Sequence, residues 1–224
     1  MKRIIIFVTV MLLFVGGVLS FTSQVYGQSA KKVLMIPREG YSGDLDLMLK
    51  MEVGVMNLLL KRAGFQVDIA TTSGFPIVGS TEKIAKLSRL VDIKLDDYAG
   101  VIMPCMGVGA FPGPPVSQQA VAIVKKALAD GKPVAASTWS TTILAEGGLL
   151  KGKKYAAAAD PLKTTETRKI TDLRYEGGIY SGPGVVQDGK LITSGACPTI
   201  EKAFGMQSRT VELTQAFIKE ISPK

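Results

Sequence analysis

The amino-acid sequence predicts an α/β fold: an open, mainly parallel sheet with helices on both faces. Short apolar runs of strand length alternate with helical stretches along the chain. A strand, a helix and a strand succeed one another within residues 32–71, and the right-handed crossover rule makes those strands parallel neighbours. A Gly/Pro-rich loop, "CMGVGAFPGPP", follows one of the core strands at its carboxyl end, the edge where such folds bind ligands.

Taken in order, "KVLMIP" (32–37) is the first strand. Asp44 or Asp46 caps a helix that runs to about Arg62 and stops at Gly64. Leu47, Met48, Met51, Val55, Met56, Leu58 and Leu59 cover most of its circumference, which predicts a largely buried helix. "FQVDIAT" is the second strand. Ser73 to Asp97 is irregular, with "FPIVGS" a candidate extra strand and turn before an amphipathic connection. "AGVIMP" (99–104) is the third core strand, and the loop "CMGVGAFPGPP" follows it. The next helix starts at Pro115, carries Val116, Ala120, Ile123, Val124, Ala127 and Leu128 on its apolar side, and stops at Gly131. "PVAAST" is a strand, "TTILAEGGLL" a short helix and "KYAAAA" a further candidate strand. Asp160 to Tyr175 is polar and receives no assignment. "GVVQDGKLITS" forms two strands around an Asp188-Gly189 turn, and "RTVELTQAFIKEI" closes the chain as an amphipathic helix.

The chain opens with Lys2 and Arg3, then an apolar run from Ile4 to Leu19, then Val25 and Gly27 at the −3 and −1 positions of a cleavage site. This predicts a secretory signal peptide over residues 1–27 and one domain over 28–224, exported to a periplasmic or extracellular space. No later stretch is apolar enough for a membrane span. The net charge of +8 is dispersed and few aromatics sit among the lysines, so a nucleic-acid footprint is not expected. No GxGxxG or Walker-type loop is present, and no cofactor or metal site is assigned. The chain has no histidine, which excludes Ser-His and Cys-His dyads and His-ligated zinc or haem. Its two cysteines, Cys105 and Cys197, permit a single disulfide in an oxidising compartment.

The stretches "KVLMIPREG", "MNLLLKRAGFQVDIAT", "LDDYAGVIMP", "VAIVKKALADGKPVAAS", "ILAEGGLLKGKKYA" and "VVQDGKLITSG" together resemble the ThiJ/PfpI family, also called the DJ-one superfamily and related to class I glutamine amidotransferases. The resemblance spans nearly all of residues 28–224 and implies a flavodoxin-like three-layer α/β/α sandwich. It also implies a nucleophile elbow after "PVAAS", where the family carries cysteine then histidine. Those positions are Thr138 and Trp139 here. The family's glutamate on the first helix corresponds to Glu52, twelve residues before Gly64. Its Pro-Gly-Gly oxyanion loop corresponds to Pro104-Cys105-Met106. Self-association is common in the family, so a homo-oligomer is implied.

Several residues are therefore candidates for a pocket: Glu52, Cys105, Met106, Thr138 and Trp139. A carboxyl on so apolar a helix should be poorly solvated and hold its proton, serving either the site or a structural hydrogen bond. Thr138 needs a base to become a nucleophile, and a protonated Glu52 is the wrong state for one. Trp139, the single tryptophan, either walls or fills the family's pocket. The family alignment brings "PCMG" and "GACPT" near the elbow, implying a Cys105–Cys197 disulfide or dithiol at the pocket mouth. Arg38 and Glu39 lie at the same sheet edge. The expected function is non-catalytic binding of a small molecule or a protein partner. The alternatives are a hydrolase, peptidase or glyoxalase/deglycase-type enzyme using Thr138 or Cys105, and a thiol-disulfide protein using Cys105 and Cys197.

Overall fold

Strands buried on both faces read as continuous apolar runs, and the computed structural model of the protein places those runs side by side. It describes residues 31–40, 44–106, 116–165 and 169–222. The expected signal peptide and the helix start at Pro115 lie outside the described residues.

Strand β1 (Lys32–Met35) leads into a helix of three parts: α1 (Leu45–Met48), a π turn (Leu49–Val53) and α2 (Gly54–Arg62). Next come β2 (Gln66–Thr71), the short strands β3 (Ile77–Val78), β4 (Lys83–Ile84) and β5 (Ser88–Arg89), and β6 (Tyr98–Met103). Helix α3 (Gln118–Ala129), β7 (Val134–Ser137) and α4 (Thr141–Glu146) follow. The remainder is β8 (Lys154–Tyr155), β9 (Ile179–Tyr180), β10 (Val185–Asp188), β11 (Leu191–Ser194), α5 (Pro198–Phe204) and α6 (Thr210–Ile221).

The main sheet runs β10-β11-β7-β6-β1-β2-β5. All of its pairings are parallel except β10 with β11, the hairpin expected around Asp188-Gly189. The five core strands follow the flavodoxin order, with the switch between β1 and β6. Alternation along β1 sorts the core into two layers. Leu34 and Ile36 pack under α3 and α4, whereas Val33 and Met35 pack under α1, α2 and α6. Gly100 on β6 lets α6 approach, since a Cβ there would lie 2.9 Å from the Phe217 ring.

The structure departs from expectation at particular points. Asp44 stands at the N-cap of α1, but its carboxylate pairs with Arg38 at 2.6 Å instead of capping. Asp46 accepts backbone N–H bonds from Thr81 and Glu82 and so ties down the β3–β4 hairpin. The cap of α3 is Ser117, whose hydroxyl accepts from Ala120 N–H. The first helix is buried on one side only, because Met51 (46 %) and Leu58 (49 %) remain exposed. The amphipathic connection before β6 is built of short strands and 3-10 turns.

Candidate functional site

Four chain segments converge beyond the carboxyl ends of β1, β6, β7 and β11. The elbow is formed by β7, which ends at Ser137 and passes through Thr138 into a 3-10 turn and α4. Thr138 has φ +50°, the one described non-glycine residue in the left-handed region. For a β-branched residue this costs on the order of 1–3 kcal/mol and persists only where the surroundings impose it. Here Ser140 donates its hydroxyl to the Pro104 carbonyl, and Thr141 donates to the Thr138 carbonyl at 2.6 Å while sharing a 2.8 Å bond with the Tyr175 hydroxyl. The chain thus turns sharply at the position where the family resemblance implies an elbow, with a hydroxyl in place of a thiol, and it does so through a strained conformation that a β-branched residue disfavours.

Glu52 enters from the π turn and is 1 % exposed. A π turn widens the helix by one residue, and such turns gather at functional sites. Burial, together with the charge at Cys197, pushes the Glu52 carboxyl up to about 8, against the opposing Ser137 hydroxyl and Cys105 N–H. Burial thus favours the protonated carboxyl, and Oε1 has no hydrogen-bond partner.

Cys197 is the element that sequence reasoning placed only through the resemblance. It stands at the N-cap of α5, a helix with no counterpart in the sequence reading although Pro198 at its first position and Gly205 in the left-handed region after its end were signals for it. Its thiol is depressed to about 6, first by the hydrogen bond from Cys105, then by the Ile200 N–H, the Thr138 hydroxyl and the Thr199 N–H. The Cys105 thiol is held well above the ordinary range, chiefly because it donates to Cys197, with burial adding to the effect. Both cysteines are buried free thiols and do not form the expected disulfide bond here. A carboxylate oxygen of Glu52 and the two sulfurs all lie within 4.8 Å of one another.

The other candidates divide. Trp139 is half-buried and packs with Met206 on the small cluster containing Cys105, Cys197 and Ile200, while its backbone N–H reaches the Cys105 sulfur. Met106 packs on the α3 side of the core. Neither borders the adjoining cavity of about 400 Å³, and nor do Glu52 and Thr138. That cavity reaches the site at Cys105 and Thr199 and is rimmed by Arg38, Lys50 and Lys202 among acidic Asp44, Asp46 and Glu82. Glu39 turns away and accepts from Ser73 N–H and its hydroxyl.

Comparisons with known proteins agree with this architecture. An uncharacterized protein of Methanocaldococcus jannaschii is 30 % identical over 177 residues, 79 % of this chain and 80 % of that one. A deglycase of Thermococcus kodakarensis is 27 % identical over 164 residues, 73 % of this chain and 89 % of that one. Among solved structures, a ThiJ/PfpI domain protein of Brachyspira murdochii superposes with a TM-score of 0.63 at 15 % identity, covering 86 % of this chain and 96 % of that one. Oxidized DJ-1 of Toxoplasma gondii superposes with a TM-score of 0.56 at 21 % identity, over 86 % of this chain and 96 % of that one. The model of the DJ-1/PfpI family matches residues 32–208, and the chain belongs to that family.

Proposed function

We propose that the protein is a thiol-disulfide protein whose working group is the Cys105–Cys197 pair, set over an elbow that carries threonine. One observation carries this reading: the chain's two cysteines, 92 positions apart, meet as free thiols joined by a hydrogen bond from Cys105 to Cys197, with Cys197 lowered to about 6. A lowered thiol is the nucleophile of disulfide exchange. The cavity reaches the pair at Cys105, so a small organic disulfide approaches there. The Cys197 thiolate takes the Cys105 proton along their hydrogen bond, which leaves the charge on the Cys105 sulfur as it attacks. The Cys105 sulfur attacks the disulfide and one organic thiolate leaves. The Cys197 sulfur then attacks Cys105 in the mixed disulfide and expels the second thiolate. The protein dithiol is oxidised, the organic disulfide is reduced to two thiolates, and the proton held between the cysteines is released to water.

Thr138 is not the nucleophile in this reading: its hydroxyl donates to Cys197, whose thiolate is far too weak a base to ionise an alcohol, and Glu52 still holds a proton at neutral pH. The expected export would place the pair where disulfides persist. A second reading, non-catalytic binding of a small anion, is supported by Arg38, Lys50 and Lys202 around the cavity. The deglycase relative supports a third in which carbonyl compounds are taken up by the same sulfur.

Alkylation and mass measurement after equilibration with glutathione disulfide test the proposal. The expected product is an intramolecular disulfide, with Cys197→Ser trapped as a glutathione adduct at Cys105. Two alkylatable thiols throughout, or methylglyoxal turnover by protein that does not exchange disulfides, overturn it.

A further inference from the structure

The absence of histidine removes one usual ligand of zinc, yet the folded chain gathers others. Glu52, Cys105 and Cys197 come from the π turn, the loop after β6 and the N-cap of α5, and all three are buried. We infer that these three side chains form a binding site for one thiophilic divalent cation of the zinc and cadmium class, held by two thiolates and one carboxylate.

The ligand types fit that class. Thiolate and carboxylate are common zinc donors, at about 2.3 Å for sulfur and about 2.0–2.2 Å for oxygen. A tetrahedral ion at those lengths sets neighbouring donors ~3.5–3.8 Å apart. The donor atoms here lie within 4.8 Å of one another, so side-chain adjustments on the order of 1 Å would close the set. Three protein donors leave a fourth position for water or a small anion, the pattern of reactive zinc sites.

A second observation points to an occupant independently of the cluster. Oε1 of Glu52 has no hydrogen-bond partner, although the residue is 1 % exposed. A buried, unsatisfied carboxyl oxygen is costly, and native structures rarely leave one without a role. A divalent cation would complete that oxygen and offset the charge of the thiolates. This inference stands whether or not the pair also exchanges disulfides, because a metal-bound dithiol and an oxidised one are alternative states of the same sulfurs.

The test is a titration of reduced, chelator-treated full-length protein with Cd²⁺ under anaerobic conditions. The expected result is a sulfur-to-cadmium charge-transfer band that saturates at one equivalent, is reversed by excess Zn²⁺, and coincides with protection of both thiols from alkylation. Cys105→Ser and Cys197→Ser should each lose the band at stoichiometric metal. Glu52→Gln should keep it but bind at least about 10–100-fold more weakly, the loss that follows removal even of a residue that only supports a ligand. Equal affinity in Glu52→Gln, saturation at half an equivalent, or no band in the wild type overturns the inference. Should a variant fail to fold by circular dichroism, the cadmium NMR shift of the wild-type complex decides: a mixed sulfur and oxygen shell supports the site, and an all-oxygen or all-sulfur shell overturns it.

Discussion

Glu52 shows how one buried side chain sets a pH dependence for the whole fold. Its carboxyl titrates at about 8 in the folded chain, against an ordinary value of 4.5. A raised value means that folding favours the protonated form. That contribution is complete below pH 4.5 and is lost as pH climbs through the folded value, at up to about 1.4 kcal/mol per pH unit. Cys197 works in the opposite sense: its lowered value stabilises the fold above the ordinary thiol range and is lost as pH falls through about 6. In chelator-treated protein, Glu52→Gln should therefore gain stability relative to wild type steadily between pH 4.5 and 8. Urea denaturation across that range checks it, and parallel curves for the two proteins would contradict the account.

At the scale of elements, the site depends on how closely β11 and the loops beside it approach. Gly195 follows β11 and precedes Cys197 by two positions. A Cβ there would lie 2.5 Å from the Ala157 backbone and 2.6 Å from Pro183 Cα, both main-chain atoms that cannot swing aside. Gly195→Ala should cost about 1–3 kcal/mol, as overpacked sites do, and should push Cys197 out of hydrogen-bond reach of Cys105. Thermal unfolding measures the first effect. A rise in the pH at which Cys197 becomes alkylatable measures the second, since the Cys105 hydrogen bond is the largest cause of its depression. The π turn belongs at this scale too. No apolar period announces it, because it arises when the helix packs on the sheet and adjusts by one residue around Glu52.

The molecule as a whole leaves an apolar stripe in water. Met51 and Leu58 lie seven positions apart on the first helix and are each about half exposed. The helix reads as largely buried, whereas the single chain buries the face carrying Met48, Met56 and Leu60 and leaves Met51 and Leu58 exposed. We expect a second copy to cover the other face, in line with the homo-oligomer implied by the family resemblance. Leu58→Glu should then shift the protein to monomer in analytical ultracentrifugation, while monomer stability changes by no more than about 0.5 kcal/mol, as for an ordinary surface substitution. A wild-type monomer at high concentration would contradict this.

Much of this architecture was legible before folding was considered. Val33 to Ile36, Val101 to Met103 and Val134 to Ala136 are apolar on both faces and of strand length, and backbone pairing makes such runs parallel strands wherever helices connect them. Thr138 in place of a thiol, and the lack of any histidine, are also facts of the chain alone. The partnership at the site is different. Cys105, Cys197 and Glu52 are far apart in sequence, and their influence on one another depends on distances of a few ångströms and on the loss of water. Those arise only when β6, β11 and the first helix share one sheet edge, because hydrogen bonding and desolvation act through space and leave no period in the sequence.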